Sequence, residues 1–142
     1  MLGVIFSVIA GMAMSVQGVM NTRLGQSIGT TEANALVQCT AAVLSLAALA
    51  VYRGGSFAAL AETEKIYWFG GVLGLVITIT VMLGIKDLSP TVSISVILIS
   101  QLTVAAIIDA LGLLGSEKVP FVWTKFAGLG LMIGGVLLFK CK

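Results

Sequence analysis

Residues 89–115, SPTVSISVILISQLTVAAIIDALGLLG, constrain the fold more than any other part of the chain. About 20 mostly apolar residues at ~1.5 Å rise are enough to cross the hydrocarbon core of a bilayer. This stretch has that length, yet it carries Gln101 at mid-span and Asp109 farther on. At ~100° per residue, Gln101, Ala105, Asp109 and Gly112 share one helix face, a polar and small-residue stripe on an apolar cylinder. Such a stripe cannot face lipid, where each unpaired polar group costs several kcal/mol. It must look at another helix, a second subunit or a water-filled cavity.

The rest of the chain has the same character. Of 142 residues 58% are hydrophobic and 10% charged, with no histidine; the mean hydropathy is +1.13. A soluble domain with an aqueous surface to cover does not have this balance, so the expected class is an integral membrane protein. Cys39 lies in an apolar run and Cys141 is penultimate; their spacing suits neither a disulfide framework nor a metal site, and no cofactor is expected. The net charge of +2 comes from isolated residues, which argues against nucleic acid as a partner. The first apolar segment is too long for a signal-peptide core and has no basic leader, so it is expected to stay as the first span.

Hydropathy and turn signals predict an all-α, polytopic protein: one domain, 1–142, of five transmembrane helices at about 2–22, 33–52, 67–88, 90–113 and 120–139. In the first span Gly3, Ser7, Gly11, Met14, Gly18, Asn21 and Gly25 recur at steps of three and four, with Gln17 at the edge of the strip. The glycines suit close helix packing, whereas Asn21 and Gln17 suit either interhelical hydrogen bonds or a pathway lining. A polar turn with Arg23, Gln26, Ser27 and Gly29 is expected next, with Thr30 or Thr31 capping span two and Glu32 in its first turn. Asn34, Gln38 and Ser45 lie on one side of that span. The connector RGGSFAALAETEK reads as a surface segment, with a short interfacial helix after Ser56. Span three opens with Tyr67 and Trp68 at headgroup level and has a close-packing edge of Gly70, Gly74 and Thr78. Pro90 starts span four, and Trp123 marks the next interface. In span five Gly130 and Gly134 spell GxxxG, a packing or dimerisation signal that is common by chance in glycine-rich spans.

Five spans put the termini on opposite sides, and the basic residues then divide evenly. Arg53, Lys65, Lys118 and Lys125 fall on the N-terminal face; Arg23, Lys86, Lys140 and Lys142 fall on the other. Orientation follows the side richer in Lys and Arg, so the chain is expected to insert both ways and to pair as an antiparallel, dual-topology homodimer. Two inverted copies would reproduce the inverted-repeat architecture of many secondary transporters.

Three stretches, GVMNTRLG in span one, WFGGVLG at 68–74 and above all ISQLTVAAIIDALGLLG at 99–115, resemble the YdcZ family of small bacterial inner-membrane proteins, a branch of the drug/metabolite transporter superfamily. The resemblance covers nearly the whole chain. It implies a five-span half-unit that works as a dimer and an exporter activity without a named substrate. It places family-pattern positions at Asn21, Gly25, Gly71, Gly74, Gln101, Asp109 and Gly112. The four-span relatives that exchange protons for cationic drugs carry a glutamate in span one. This chain has no acid there, which removes that route as an assumption.

The candidate substrate-binding or pathway residues are therefore Gln17, Asn21, Asn34, Gln38, Ser100, Gln101 and Asp109, with Gly11, Gly18, Gly70, Gly74, Gly112, Gly130 and Gly134 as helix-packing positions. Asp109 suits either a proton or cation site or a structural lock at the membrane boundary. Gln101 suits recognition of a neutral ligand or a helix-to-helix hydrogen bond. Ser93, Ser100 and Thr103 suit back-bonding to their own helix. No nucleophile–base pair, phosphate loop or metal cluster points to catalysis. The expected partners are a second copy, membrane lipids and a small-molecule substrate. The reading is a small-molecule exporter, with a non-transporting membrane protein whose polar stripes serve packing, lipid or partner binding as the alternative.

Overall fold

The hydrophobic pattern resolves into helices throughout the residues that the computed structural model describes, 1–52, 54–120 and 122–140. Arg53, Phe121, Cys141 and Lys142 lie outside them, as does the Lys140 side chain. The order is α1 (Leu2–Ile28), α2 (Thr30–Val51), two 3₁₀ turns (Phe57–Glu62 and Lys65–Phe69), α3 (Gly70–Asp87), α4 (Pro90–Leu111), a short turn (Leu113–Gly115) and α5 (Trp123–Lys140). Four of these segments are long and apolar enough to cross a membrane: Leu2–Ile28, Thr30–Val51, Lys65–Asp87 and Pro90–Leu111; Trp123–Phe139 is a shorter apolar helix. The chain forms two compact units, residues 1–86 and 87–142.

In the first unit the expected polar turn at 23–29 is absent. The α1 helix runs on to Ile28, because Arg23 and Gln26 are good helix formers and the Ser27 hydroxyl donates back to the Arg23 carbonyl at 3.1 Å. The whole connection is Gly29, at φ 103° and ψ 144°. Its N–H donates to Gly25 O and its carbonyl accepts from Ala33 N, both at 3.0 Å, so the two helices stop and start with backbone groups satisfied. Neither Thr30 nor Thr31 is the cap; Gly29 holds that position and no side chain caps α2. A Cβ on Gly29 would collide with the Glu32 carboxylate, which sits in the first turn of α2.

The α3 helix seats against the C-terminal half of α1. A Cβ added at Gly18 would lie 2.9 Å from Ile85 Cδ1 and 3.2 Å from Val81 Cγ1, and one at Gly25 would lie 3.4 Å from Met82 Sδ. The small-residue strip thus works only over its C-terminal half; at Gly3 and Gly11 an added Cβ meets nothing within 4 Å. The connector holds the short helix expected after Ser56, as a 3₁₀ turn in which Ser56 Oγ accepts from Ala58 N at 3.2 Å.

In the second unit Ser89 caps α4, accepting from Val92 N, with Pro90 at the first helical position. The helix stops at Gly112, which is left-handed at φ 66° and ψ 38° and donates to Ile108 O. Gly112 is therefore a helix terminator, whereas the strip reading made it a packing residue. Beyond it Val119 N donates to Asp109 O at 2.8 Å, folding the connection back on the last turn of α4. The α4 and α5 helices pack against each other.

Candidate functional site

Burial in the first unit concentrates where the C-terminal half of α1, the N-terminal half of α2 and the C-terminal half of α3 meet. The buried residues there are Gly18, Asn21 and Thr22 from α1, Ala33 and Asn34 from α2, and Met82 and Ile85 from α3. Asn21, Thr22 and Asn34 are 7%, 5% and 5% exposed, so polar side chains match apolar ones in number at this junction. A soluble core excludes such groups. In a membrane protein, whose outer surface is already apolar, polar side chains gather inside.

These groups differ in how they are satisfied. Thr22 Oγ1 donates to Gly18 O at 2.7 Å, within its own helix. Gln38 Nε2 reaches Thr78 Oγ1 at a long 3.5 Å, and Thr78 Oγ1 donates to Gly74 O at 2.8 Å, a chain of two bonds from α2 into α3. Gly74 lies beside this chain: a Cβ there would be in ordinary contact with Gln38 Nε2, at 3.9 Å. Asn34 is the exception, because its Oδ1 is buried without a donor. An unpaired buried acceptor costs about 1–3 kcal/mol, and native interiors contain few of them.

Gln17 is exposed and lines, with Val16, Met20 and Asn21, a shallow groove of 510 Å³ along α1. Asn21 therefore touches both the buried junction and this groove. Gln101 and Ser100 are exposed on α4, and the Ser100 hydroxyl donates to Val96 O at 3.0 Å. Asp109 is half-buried and lines a separate groove between α4 and α5. Thus Gln38 reaches Thr78 from one turn beyond Asn34 on α2, and Asn21 and Thr22 are buried on α1, which packs against α2, while Ser100, Gln101 and Asp109 lie in the second unit. Gly70, Gly130 and Gly134, like Gly11, face open space in the described chain.

Sequence reasoning passed over Thr22 and saw in Thr78 only a packing edge. The signal for both was their position, Thr22 beside Asn21 and Thr78 one turn from Gly74. Lys125, which the sequence marks only by its charge, lines the same groove as Asp109; a groove shared by two helices leaves no mark in spacing.

Long apolar helices whose burial is polar at one junction define a multi-pass integral membrane protein. The family described as "Putative inner membrane exporter, YdcZ" matches residues 2–138, and the chain belongs to that family. Its place is the inner membrane, and exporter is the role that the family's description carries. No curated protein and no solved structure matches the chain.

Proposed function

We propose that this chain is a five-span half-exporter working as an antiparallel homodimer, with Asn21, Asn34 and Gln38 forming the polar site for a neutral, hydrogen-bonding small molecule. The observation that carries this reading is the Asn34 carboxamide oxygen, buried and without a donor. An acceptor kept dry and unpaired is an acceptor held for a group the chain itself does not supply. No acid stands beside it among the buried residues, which favours a neutral donor over a cation.

Three further facts support the dimer. The fifth helix, Trp123–Lys140, has 18 residues, within the range of ~17–25 that spans a bilayer. The basic residues divide evenly between the two faces that five spans define. Gln101 sits at the middle of α4 with its amide exposed, a position that lipid does not tolerate and a second copy would cover.

The test is sided labelling in cells. A single reporter cysteine placed at the C-terminal end, with Cys39 and Cys141 replaced by Ser, is treated with a membrane-impermeant maleimide from outside and, in inverted vesicles, from inside. Comparable labelling from both faces is expected. Labelling from one face only overturns the inverted homodimer.

The packing reading has its own support in the Gln38–Thr78–Gly74 chain, which joins α2 to α3. It accounts for Gln38 but leaves Asn34 Oδ1 unexplained.

A further inference from the structure

We propose that the groove between α4 and α5 is a binding site for an amine-bearing zwitterionic phospholipid, the headgroup held by Asp109 and Lys125 and an acyl chain lying along the apolar walls. The cavity measures 310 Å³; its walls are Leu102, Ala105 and Ala106 from α4 and Gly128, Leu129 and Met132 from α5, with Asp109 and Lys125 completing the lining. One carboxylate and one ammonium therefore share a trough that is otherwise apolar.

The placement of the two charges is unfavourable for the helices that bear them. Asp109 is in the last turn of α4, where the helix dipole is negative, and Lys125 is in the first turn of α5, where it is positive. Helix stability alone would reverse both charges, so the helices that bear them do not account for their place in the lining of one trough.

Depth selects the occupant. Gly112 ends α4 one turn beyond Asp109, and Trp123, 74% exposed, opens α5 two residues before Lys125. Tryptophan concentrates at headgroup level, so the charges stand at the interface and the apolar walls run inward from them. A phospholipid in the membrane has this same polarity, with its charged head at the interface and its chain below. In such a pose a primary ammonium donates to the Asp109 carboxylate while the phosphate accepts from Lys125 Nζ. The inference is independent of transport; it rests only on the membrane location.

The test is native mass spectrometry of delipidated full-length protein, with phosphatidylethanolamine, phosphatidylcholine or phosphatidylglycerol added at equal concentration. Wild type is expected to retain the ethanolamine lipid roughly tenfold better than the choline lipid, since the trimethylated nitrogen has no N–H to give, and one charge-assisted hydrogen bond is worth about that factor. Asp109→Asn is expected to level the two lipids, and Lys125→Gln to weaken retention of the ethanolamine and glycerol lipids together. Gly128→Leu adds an apolar side chain to the lining of the trough and changes neither charge, and a Cβ there has room because it meets nothing within 4 Å; it is expected to lower ethanolamine-lipid retention to the choline level. Equal retention by wild type, a preference that survives Asp109→Asn, or undiminished retention by Gly128→Leu would overturn the assignment. Displacement of the bound lipid by millimolar free leucine would overturn it too, making the site one for a soluble zwitterion.

Discussion

Replacing Asn34 by Leu separates the two readings of the polar junction by the size of its effect. Asn34 is 5% exposed and its Oδ1 has no donor, so the folded chain carries a desolvation cost of about 1–3 kcal/mol at that atom. Leucine shares the γ-branched shape of asparagine but is bulkier, and overpacking costs ~1–3 kcal/mol, which offsets that relief. The net expectation is stability unchanged within about 1 kcal/mol, together with loss of export. If instead Asn34 tied helices together, nothing would offset the overpacking, and the lost interhelical bond would add ~0.6 kcal/mol on average and up to ~1.7 kcal/mol. The assay is equilibrium unfolding in mixed micelles, following the fluorescence of Trp68, just before α3, in a background with Trp123 replaced by Phe, at several protein concentrations so that dissociation and unfolding are distinguished. A variant destabilised by more than about 1 kcal/mol would refute the reasoning, because Oδ1 would then have to be bonded in the native state.

Four other outcomes are expected. Gly18→Leu should cost about 1–3 kcal/mol by overpacking against Ile85 and the stiff, β-branched Val81, whereas Gly11→Leu, in open space on the same helix, should leave the same unfolding midpoint within about 0.5 kcal/mol. Gly29→Ala forces a Cβ into a positive-φ position and against the Glu32 carboxylate; thermal unfolding should show a loss of about 1–3 kcal/mol that Glu32→Ala only partly restores, since the backbone strain remains. Gln38→Leu removes the bond to Thr78 and should lower stability by roughly 0.6 kcal/mol in the same titration. Gly54→Lys with Ser56→Lys should fix one orientation by loading one face with positive charge; export should fall, and co-expression with Ser27→Lys, which loads the opposite face, should restore it.

The helices were legible because apolar runs of bilayer length have few other uses, and the glycine strip of α1 was legible as a strip. Its extent was not: Gly18 and Gly25 meet α3 while Gly3 and Gly11 meet nothing, and spacing within one helix carries no record of where a neighbour crosses it. The junction at 23–29 was misread because Arg23, Gln26 and Ser27 are polar, and polarity was taken for a turn. Inside a long helix that reaches beyond the hydrocarbon layer the same residues are unexceptional, and only Gly29, at a positive φ, ends it. Asn21, Asn34 and Gln38 could be named one helix at a time from their faces. That Asn21 and Asn34 are buried while Gln38 reaches Thr78, and that Asn34 Oδ1 has no donor, depends on how α1, α2 and α3 pack. Gly112 misled for a related reason: a small residue at the end of a stripe looks like packing, but its left-handed conformation makes it the stop.

The depth of these groups gives the proposed dimer a further constraint. Counted from the Gly29 connection at ~1.5 Å per residue, Asn34, Asn21 and Gln38 lie roughly 8, 12 and 14 Å along their helices. A hydrocarbon core of ~30 Å puts that short of the midplane. In an inverted copy the same cluster lies equally short of the midplane from the other side, so the dimer would contain two half-sites on opposite faces instead of one central site. A solute crossing between them needs a polar station at mid-depth. Gln101, eleven residues into the 22-residue α4 and exposed in the single chain, is the residue that the proposed dimer would use there. Gln101→Leu should therefore leave solute binding at the Asn34 cluster intact, read as retained thermal stabilisation by an exported compound, while stopping its passage through proteoliposomes. Binding and passage lost together would place Gln101 in the same site as Asn34, and passage retained would remove the need for a station at mid-depth.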